Sequence, residues 1–276
     1  MSEKLVQAKG TLYGVSLGPG DPGLITRRGW ALLERRDAVW TYPVRSLRKD
    51  SYALDIALRA GLQPPAQHQS LLFPMTHDAE KLARHWRKAA ETVRALLDGG
   101  QDVLFLVEGD ASTYASFGYL ARVLRELEPE ARIEIVAGVN SFNAACAQLQ
   151  MPLSEQDDTI AIVPAAYGIA AVERMLEDFD TLVLMKVKPL LDDLIDLLAR
   201  RGLLAHSRFI EKAGSPVERI VHEVASLRGT KVNYLSLLLV RNPGRVRGEL
   251  QRGCRKKESQ ADAEPEEAPQ PDESET

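Results

Sequence analysis

Apolar and polar residues along this chain follow two rhythms that trade places at short intervals. Short runs rich in Val, Ile, Leu and Thr alternate with longer stretches whose apolar positions recur at helical spacing. That alternation predicts an α/β protein, with strands covered by helices. In the first half, strands are predicted at 11–17, 38–42, 103–107 and 133–136. Helices are predicted at 24–35, 51–60, 78–97, 114–127 and 141–149. The run Val103-Leu104-Phe105-Leu106-Val107 has no polar face, as expected of a strand buried on both sides of a parallel sheet. Gly99-Gly100 stops the long helix before it.

Met151-Pro152-Leu153 then breaks helical propensity, because proline disfavours the helical region for the residue before it. A domain boundary is expected there. Strands at 159–163 and 182–187 follow, with helices at 169–176 and 190–200, and then strands at 208–211, 219–223 and 234–240. The last three connections leave little room for crossover helices, so the second sheet should be mixed, with antiparallel pairs. The expected organisation is two α/β domains, 10–150 and 151–243, the first sheet mainly parallel.

Composition narrows the class. At 276 residues and 45% apolar, the chain can bury a core in each of two domains. No apolar run reaches the roughly 18–20 residues needed to span a bilayer, and the polar start Met1-Ser2-Glu3-Lys4 does not read as a secretory signal. Two cysteines, Cys146 and Cys254, share no spacing logic, which excludes a disulfide framework and a Cys-x-x-Cys metal site. A cytoplasmic protein is expected. The net charge of -4 is uneven: residues 258–276 hold eight acidic and no basic residues, leaving 35 basic against 31 acidic elsewhere. Residues 255–276 are expected to be a disordered acidic tail. The mildly basic body suits an anionic ligand but lacks the dense basic stripe of a nucleic-acid binder.

Three loops carry the candidate chemistry. The first strand runs into Gly18-Pro19-Gly20-Asp21-Pro22-Gly23, which satisfies the letters of the dinucleotide fingerprint Gly-x-Gly-x-x-Gly. Its mechanism fits poorly, since Pro19 and Pro22 remove backbone donors and Asp21 sets a negative charge where phosphates would lie. A tight ligand-free turn and a glycine cradle for a cationic ligand remain open beside it. The second loop, Glu108-Gly109-Asp110-Ala111-Ser112-Thr113-Tyr114, again follows a buried strand. Asp110 or Ser112 could cap the next helix, contact a ligand, or do both. The third, Ala137-Gly138-Val139-Asn140-Ser141, repeats the design. If their strands are neighbours, these loops meet beyond the strands' carboxyl ends, where ligands of open α/β sheets gather.

With these loops the chain resembles the tetrapyrrole methylases, S-adenosylmethionine-dependent enzymes that methylate corrin and sirohaem precursors. Gly10-Thr11-Leu12-Tyr13-Gly14-Val15 with Gly18-Pro19-Gly20-Asp21-Pro22 matches the family's first motif. Support comes from Tyr42-Pro43-Val44, Phe73-Pro74-Met75-Thr76 with Asp78, Glu108-Gly109-Asp110, Met185-Lys186 and Tyr234-Leu235-Ser236-Leu237. The resemblance, strongest to members acting at C20 of precorrin-2, covers about residues 10–241. It implies two α/β domains flanking a trough, with S-adenosylmethionine as co-substrate and S-adenosylhomocysteine released. It also implies precorrin-2 as substrate and precorrin-3A as product, in corrin biosynthesis, by a homodimer. Cofactor contacts carried over by position are Pro19, Glu108, Gly109, Asp110, Thr113, Tyr114, Asn140, Ser141, Met185, Ala213, Leu235 and Ser236. Asp21, Arg45 and Lys186 are expected to meet substrate. The family's Gly-Asp-Pro and Pro-Gly are replaced here by Asp110-Ala111 and Ala137-Gly138.

The substrate's carboxylates call for cations, and Arg27, Arg28, Arg45, Arg48, Lys49 and Lys186 lie in or beside the loops; Arg27 and Arg28 read more readily as a solvated helix face. The five histidines show no ligand spacing, so no metal is expected, and no catalytic base is assigned; His77 alone is placed to shuttle a proton. Cys146, in an Ala-rich helix, reads as a small buried residue. Two alternatives stay open: the same methylation on cobalt-factor II, and a dinucleotide-dependent oxidoreductase with Asp37 as the ribose contact.

Overall fold

In the computed structural model, which describes residues 8–248, the first half builds an all-parallel five-stranded sheet. Its elements are β1 (Thr11–Ser16), α1 (Arg27–Leu33), β2 (Val39–Val44), α2 (Tyr52–Arg59), β3 (His68–Leu72), α3 (Ala79–Asp98), β4 (Val103–Val107), α4 (Ser116–Leu127), β5 (Arg132–Val136) and α5 (Ser141–Gln148). Strand order is β3-β2-β4-β1-β5. The chain therefore steps one way from β1 to β3 and the other way from β3 to β5. Right-handed crossovers then place α1 and α2 on one face and α3 and α4 on the other. Strand β4 shows the consequence residue by residue: Leu104 and Leu106 pack with Leu33, Ile56 and Trp40, while Val103, Phe105 and Val107 pack with Val93, Phe117 and Leu120. That is why this strand needs no polar face.

The second sheet holds β6 (Ile160–Pro164), β7 (Thr181–Met185), β8 (Ser207–Glu211), β9 (Arg219–Val221) and β10 (Ser236–Arg241), with helices α6 (Ile169–Asp178) and α7 (Leu191–Arg200). Its order is β6-β7-β10-β8-β9, and only the β6–β7 pair is parallel. One face is covered by α6 and α7 through Val172, Leu194 and Leu198. The other receives α5 of the first half, whose Phe142, Ala145 and Cys146 pack on Val183, Leu237 and Leu239. The described residues up to Arg245 form one compact unit.

Several expected boundaries move, for local reasons. The stretch 24–35 is not one helix: Pro22–Leu24 forms a 3-10 turn, and α1 begins afresh after Thr26, whose hydroxyl accepts the Gly29 N–H. The helix expected from 114 starts at Ser116, because Tyr114 has a left-handed backbone with φ 51°. The strand expected to reach 187 ends at Met185 for the same reason, with Lys186 at φ 58°. Strand β3 was absent from the expected set. It is an edge strand whose first three residues are exposed, so it lacks the apolar alternation that marks a half-buried one. The acidic stretch 255–276 lies outside the described residues.

Candidate active site

Strands β1 and β4 are neighbours whose chains leave in opposite directions, the switch point at which open α/β sheets bind ligands. Beyond their carboxyl ends, Gly18 and Gly109 face each other across a short antiparallel bridge. Each donates its N–H to the other's carbonyl, at 3.2 and 2.7 Å. Both residues are left-handed, with φ 74° and 73°, a conformation that glycine adopts without steric cost. A Cβ on Gly109 would project into open space, so a ligand can approach the backbone there.

Loop three is drawn to the same point. Asp110, almost fully buried, accepts the Gly138 N–H at 2.8 Å and the Ser112 N–H at 2.9 Å, and also the hydroxyls of Ser112 and Thr113. Burial disfavours its charge, but the bonds from Ser112, Gly138 and Thr113 outweigh that and hold the carboxyl below the usual range. The Ser16 hydroxyl accepts the Ala111 N–H at 2.8 Å. Gly138 fits because a Cβ would lie 2.3 Å from the Ser16 Cβ. Asp110 thus ties loops together, and α4 begins without a side-chain cap. Neither does Asn140 cap α5 with its side chain.

The second half closes the cleft. Gly20 packs so tightly on the β8–β9 loop that a Cβ would sit 2.8 Å from the Ala213 carbonyl and 2.9 Å from the Ser215 nitrogen. The Tyr114 hydroxyl donates to the Ile162 carbonyl of β6 at 3.0 Å, and within the first half Tyr52 donates to the Pro19 carbonyl at 3.3 Å. The resulting cleft has a volume of about 510 Å³, within the range of small-molecule sites. Its walls include every expected cofactor contact: Pro19, Glu108, Gly109, Asp110, Thr113, Tyr114, Asn140, Ser141, Met185, Ala213, Leu235 and Ser236. Arg45 and Lys186 line it as well. Asp21 does not; its carboxylate accepts the Gly23 N–H at 2.8 Å and caps the 3-10 turn. Arg27, Arg28, Arg48 and His77 also stand outside the lining, and Arg28 pairs with Glu134.

Cations dominate the cleft. Arg45, Lys49, Lys186 and Lys212 line it, while of its carboxylates Asp110 is already spoken for and Asp50 is exposed. Tyr234, to which sequence assigned no role, organises two of the cations. The Arg45 guanidinium lies 4.9 Å from its ring centre and the Lys186 ammonium 6.0 Å; Lys186 is also 5.7 Å from the Tyr114 ring. Tyr114, Lys186 and Lys212 are all left-handed, a conformation that residues other than glycine rarely adopt. Burial pushes the Glu108 carboxyl above the ordinary glutamate range, and Arg45 opposes that push. Burial likewise raises the Tyr52 phenol, with the Glu108 charge adding to it.

The lining residues fit a polar ligand that carries carboxylate groups. The Ser236 hydroxyl is buried in the wall and has no hydrogen-bond partner among the described residues. A pyrophosphate fits worse. Loop one has no prolyl donors, and the N–H groups of Gly18, Gly23 and Leu24 are consumed by Gly109 and Asp21. Asp37 is paired with Arg35. Among the described residues, no group of three or more His, Cys, Asp or Glu could hold a metal, and no helix is long and apolar enough to cross a membrane.

Comparison with known proteins identifies the family and the fold. The profile of the Tetrapyrrole (Corrin/Porphyrin) Methylases matches residues 11–227. The chain is 33% identical to a cobalt-precorrin-2 C(20)-methyltransferase of Salmonella typhimurium, over 84% of this chain and 96% of that one. It is 27% identical to a precorrin-2 C(20)-methyltransferase of a Sinorhizobium species, over 84% and 95%. It is also 30% identical to the cobalamin biosynthesis protein CobIJ of Mycobacterium tuberculosis, over 90% of this chain but about half (49%) of that protein's length. Among solved structures, a uroporphyrin-III C-methyl transferase from Thermus thermophilus complexed with S-adenosyl homocysteine has the same fold. The TM-score is 0.57 at 23% identity, over 84% of this chain and 97% of that one. Fold, loop chemistry and sequence agree: this chain belongs to the tetrapyrrole methylases, a family of S-adenosylmethionine-dependent methyltransferases.

Proposed function

We propose that this protein is an S-adenosylmethionine-dependent C-methyltransferase of cobalamin biosynthesis that methylates C20 of precorrin-2 to give precorrin-3A. The observation that carries the reading is the meeting of the Gly18, Gly109 and Gly138 loops at the β1/β4 switch point, in a cleft that Ser236 of the second half also lines. Bound there, S-adenosylmethionine supplies an electrophilic methyl on a positively charged sulfur.

This chain's residues would hold, align and shield. Pro19, Gly109, Asn140, Ser141, Met185, Ala213, Leu235 and Ser236 form the cofactor wall, Glu108, Thr113 and Tyr114 border it, and Asp110 keeps the loops in place. Arg45 and Lys186, steadied by Tyr234, meet the carboxylates at the ring's edge. Orientation alone is worth on the order of 7–11 kcal/mol in such a displacement. Exclusion of water keeps the electron-rich meso carbon of the ring unsolvated. The reading extends to a cytoplasmic homodimer with two lobes, 10–150 and 151–243. Asp21 enters it only through the turn it caps.

A second reading, a cobalt-bearing ring as substrate, is favoured by the 33% identity to the Salmonella enzyme. Labelled S-adenosylmethionine incubated with metal-free and cobalt-bearing substrate, with the new methyl located by NMR, tests both. Methyl incorporation at C20 is expected; NAD binding without S-adenosylmethionine binding would sink the reading.

A further inference from the structure

We propose that Glu108 is the catalytic proton acceptor, taking the hydrogen that the meso carbon must shed once it is methylated; this rests on the function proposed above. Among the described residues three carboxylates line the cleft, and only one of these is both sheltered and uncommitted. Asp110 is bound by Gly138, Ser112 and Thr113. Asp50 is exposed to water. Glu108 is half-buried and accepts no hydrogen bond from any described residue, although it stands one residue from the Gly18–Gly109 bridge.

Its setting suits the task. Arg45, following β2, favours its charge from the first half, and that charge in turn raises the Tyr52 phenol at the start of α2, while Lys186 and Lys212 line the cleft from the second. A carboxylate here faces positive charge throughout the reaction, first on the sulfur and then on the methylated ring. The balance closes without a further reactant. The carbon–sulfur bond breaks with its electron pair going to sulfur, which becomes a neutral thioether, and a carbon–carbon bond forms at the meso carbon. The carbon–hydrogen bond there then breaks, its electrons return to the ring's π system, and the proton goes to Glu108. Burial, by raising the carboxyl's proton affinity, makes it a stronger base than an exposed glutamate.

The test compares wild type, Glu108→Gln and Glu108→Asp, using calorimetric binding of S-adenosylmethionine and turnover of precorrin-2 labelled with deuterium at C20. Glu108→Gln is expected to lower kcat by about 10²-fold or more, while S-adenosylmethionine affinity stays within about twofold. A C20 deuterium isotope effect on kcat should appear or grow in that variant. Glu108→Asp is expected to recover part of kcat, with the acid limb of the pH profile displaced. Turnover of Glu108→Gln within about threefold of wild type overturns the inference. So does a fall in turnover matched by an equal loss of S-adenosylmethionine affinity, which would make Glu108 a cofactor ligand. If wild type neither binds S-adenosylmethionine nor transfers methyl, the function itself fails and the inference with it. An intact wild type beside an unimpaired Glu108→Gln removes the inference alone.

Discussion

The Asp110 carboxylate accepts the backbone N–H of Gly138 at 2.8 Å, so a side chain after β4 holds the main chain after β5 in place. Between them lies β1, whose Ser16 hydroxyl binds Ala111. Replacing Asp110 with Asn turns one acceptor into a donor facing Gly138 or Ser112. The expected cost is about 2–3 kcal/mol, the scale of hydrogen bonds to a buried charge, measured by urea denaturation.

The same carboxylate sets a pH dependence. Its pKa is lowered in the folded state, so its stabilisation is present above the unfolded value of about 4 and disappears as pH falls through the lower folded value. Urea midpoints followed from pH 6 down toward pH 2 should fall less steeply in Asp110→Asn than in wild type. Equal slopes would mean that Asp110 titrates alike folded and unfolded.

Gly20 joins the two halves by close backbone approach. Gly20→Ala places a methyl 2.8 Å from the Ala213 carbonyl and should cost about 1–3 kcal/mol while weakening S-adenosylmethionine binding. Gly118→Ala, inside α4 with open space around it, should instead raise stability by up to about 1 kcal/mol. Thermal unfolding of the pair separates the effect of packing from that of removing a glycine.

Lys186, at the end of β7, has a left-handed backbone with φ 58°. Lys186→Gly should relieve about 1 kcal/mol of backbone strain and stabilise the fold. Loss of its ammonium should at the same time weaken tetrapyrrole binding, read by quenching of intrinsic fluorescence. Added salt should weaken the wild type more than the variant, because one screened charge is gone.

The Asp180 carboxylate, nearly buried, receives Arg245 at 2.6 Å and the Thr159 N–H at 2.8 Å. Asp180→Ala leaves a largely buried guanidinium without its partner and should cost about 3–5 kcal/mol. Turnover at low temperature should be kept, since the cluster is remote from the cleft lining. Chemical denaturation beside a low-temperature assay checks both halves of that expectation.

Much of this architecture is legible in short stretches of chain. The run 103–107 announces a doubly buried strand, and the glycine-to-polar transitions after 18, 109 and 138 announce the loops that line the cleft. Strand β3 escapes because His68-Gln69-Ser70 sits on an exposed edge, where nothing selects for alternation. Tyr52 escapes as an apolar-looking helix residue; only its hydroxyl bond to Pro19 reveals that it borders the cleft. Tyr234 stands among recognised residues, yet its work on Arg45 and Lys186 depends on two loops far away in sequence.

Local pattern by itself determined most of the strands, helices and tight turns, and which loop chemistries exist, because backbone preference and side-chain period act over a few residues. It also carried enough motif to place the chain in its family. Only the tertiary structure decided that β1 lies between β4 and β5, that Gly18 meets Gly109, and that Asp110 is a tie while Glu108 is left open. Those outcomes depend on which strands pair and which way their connections turn, and contacts between residues a hundred positions apart leave no periodic trace in the chain.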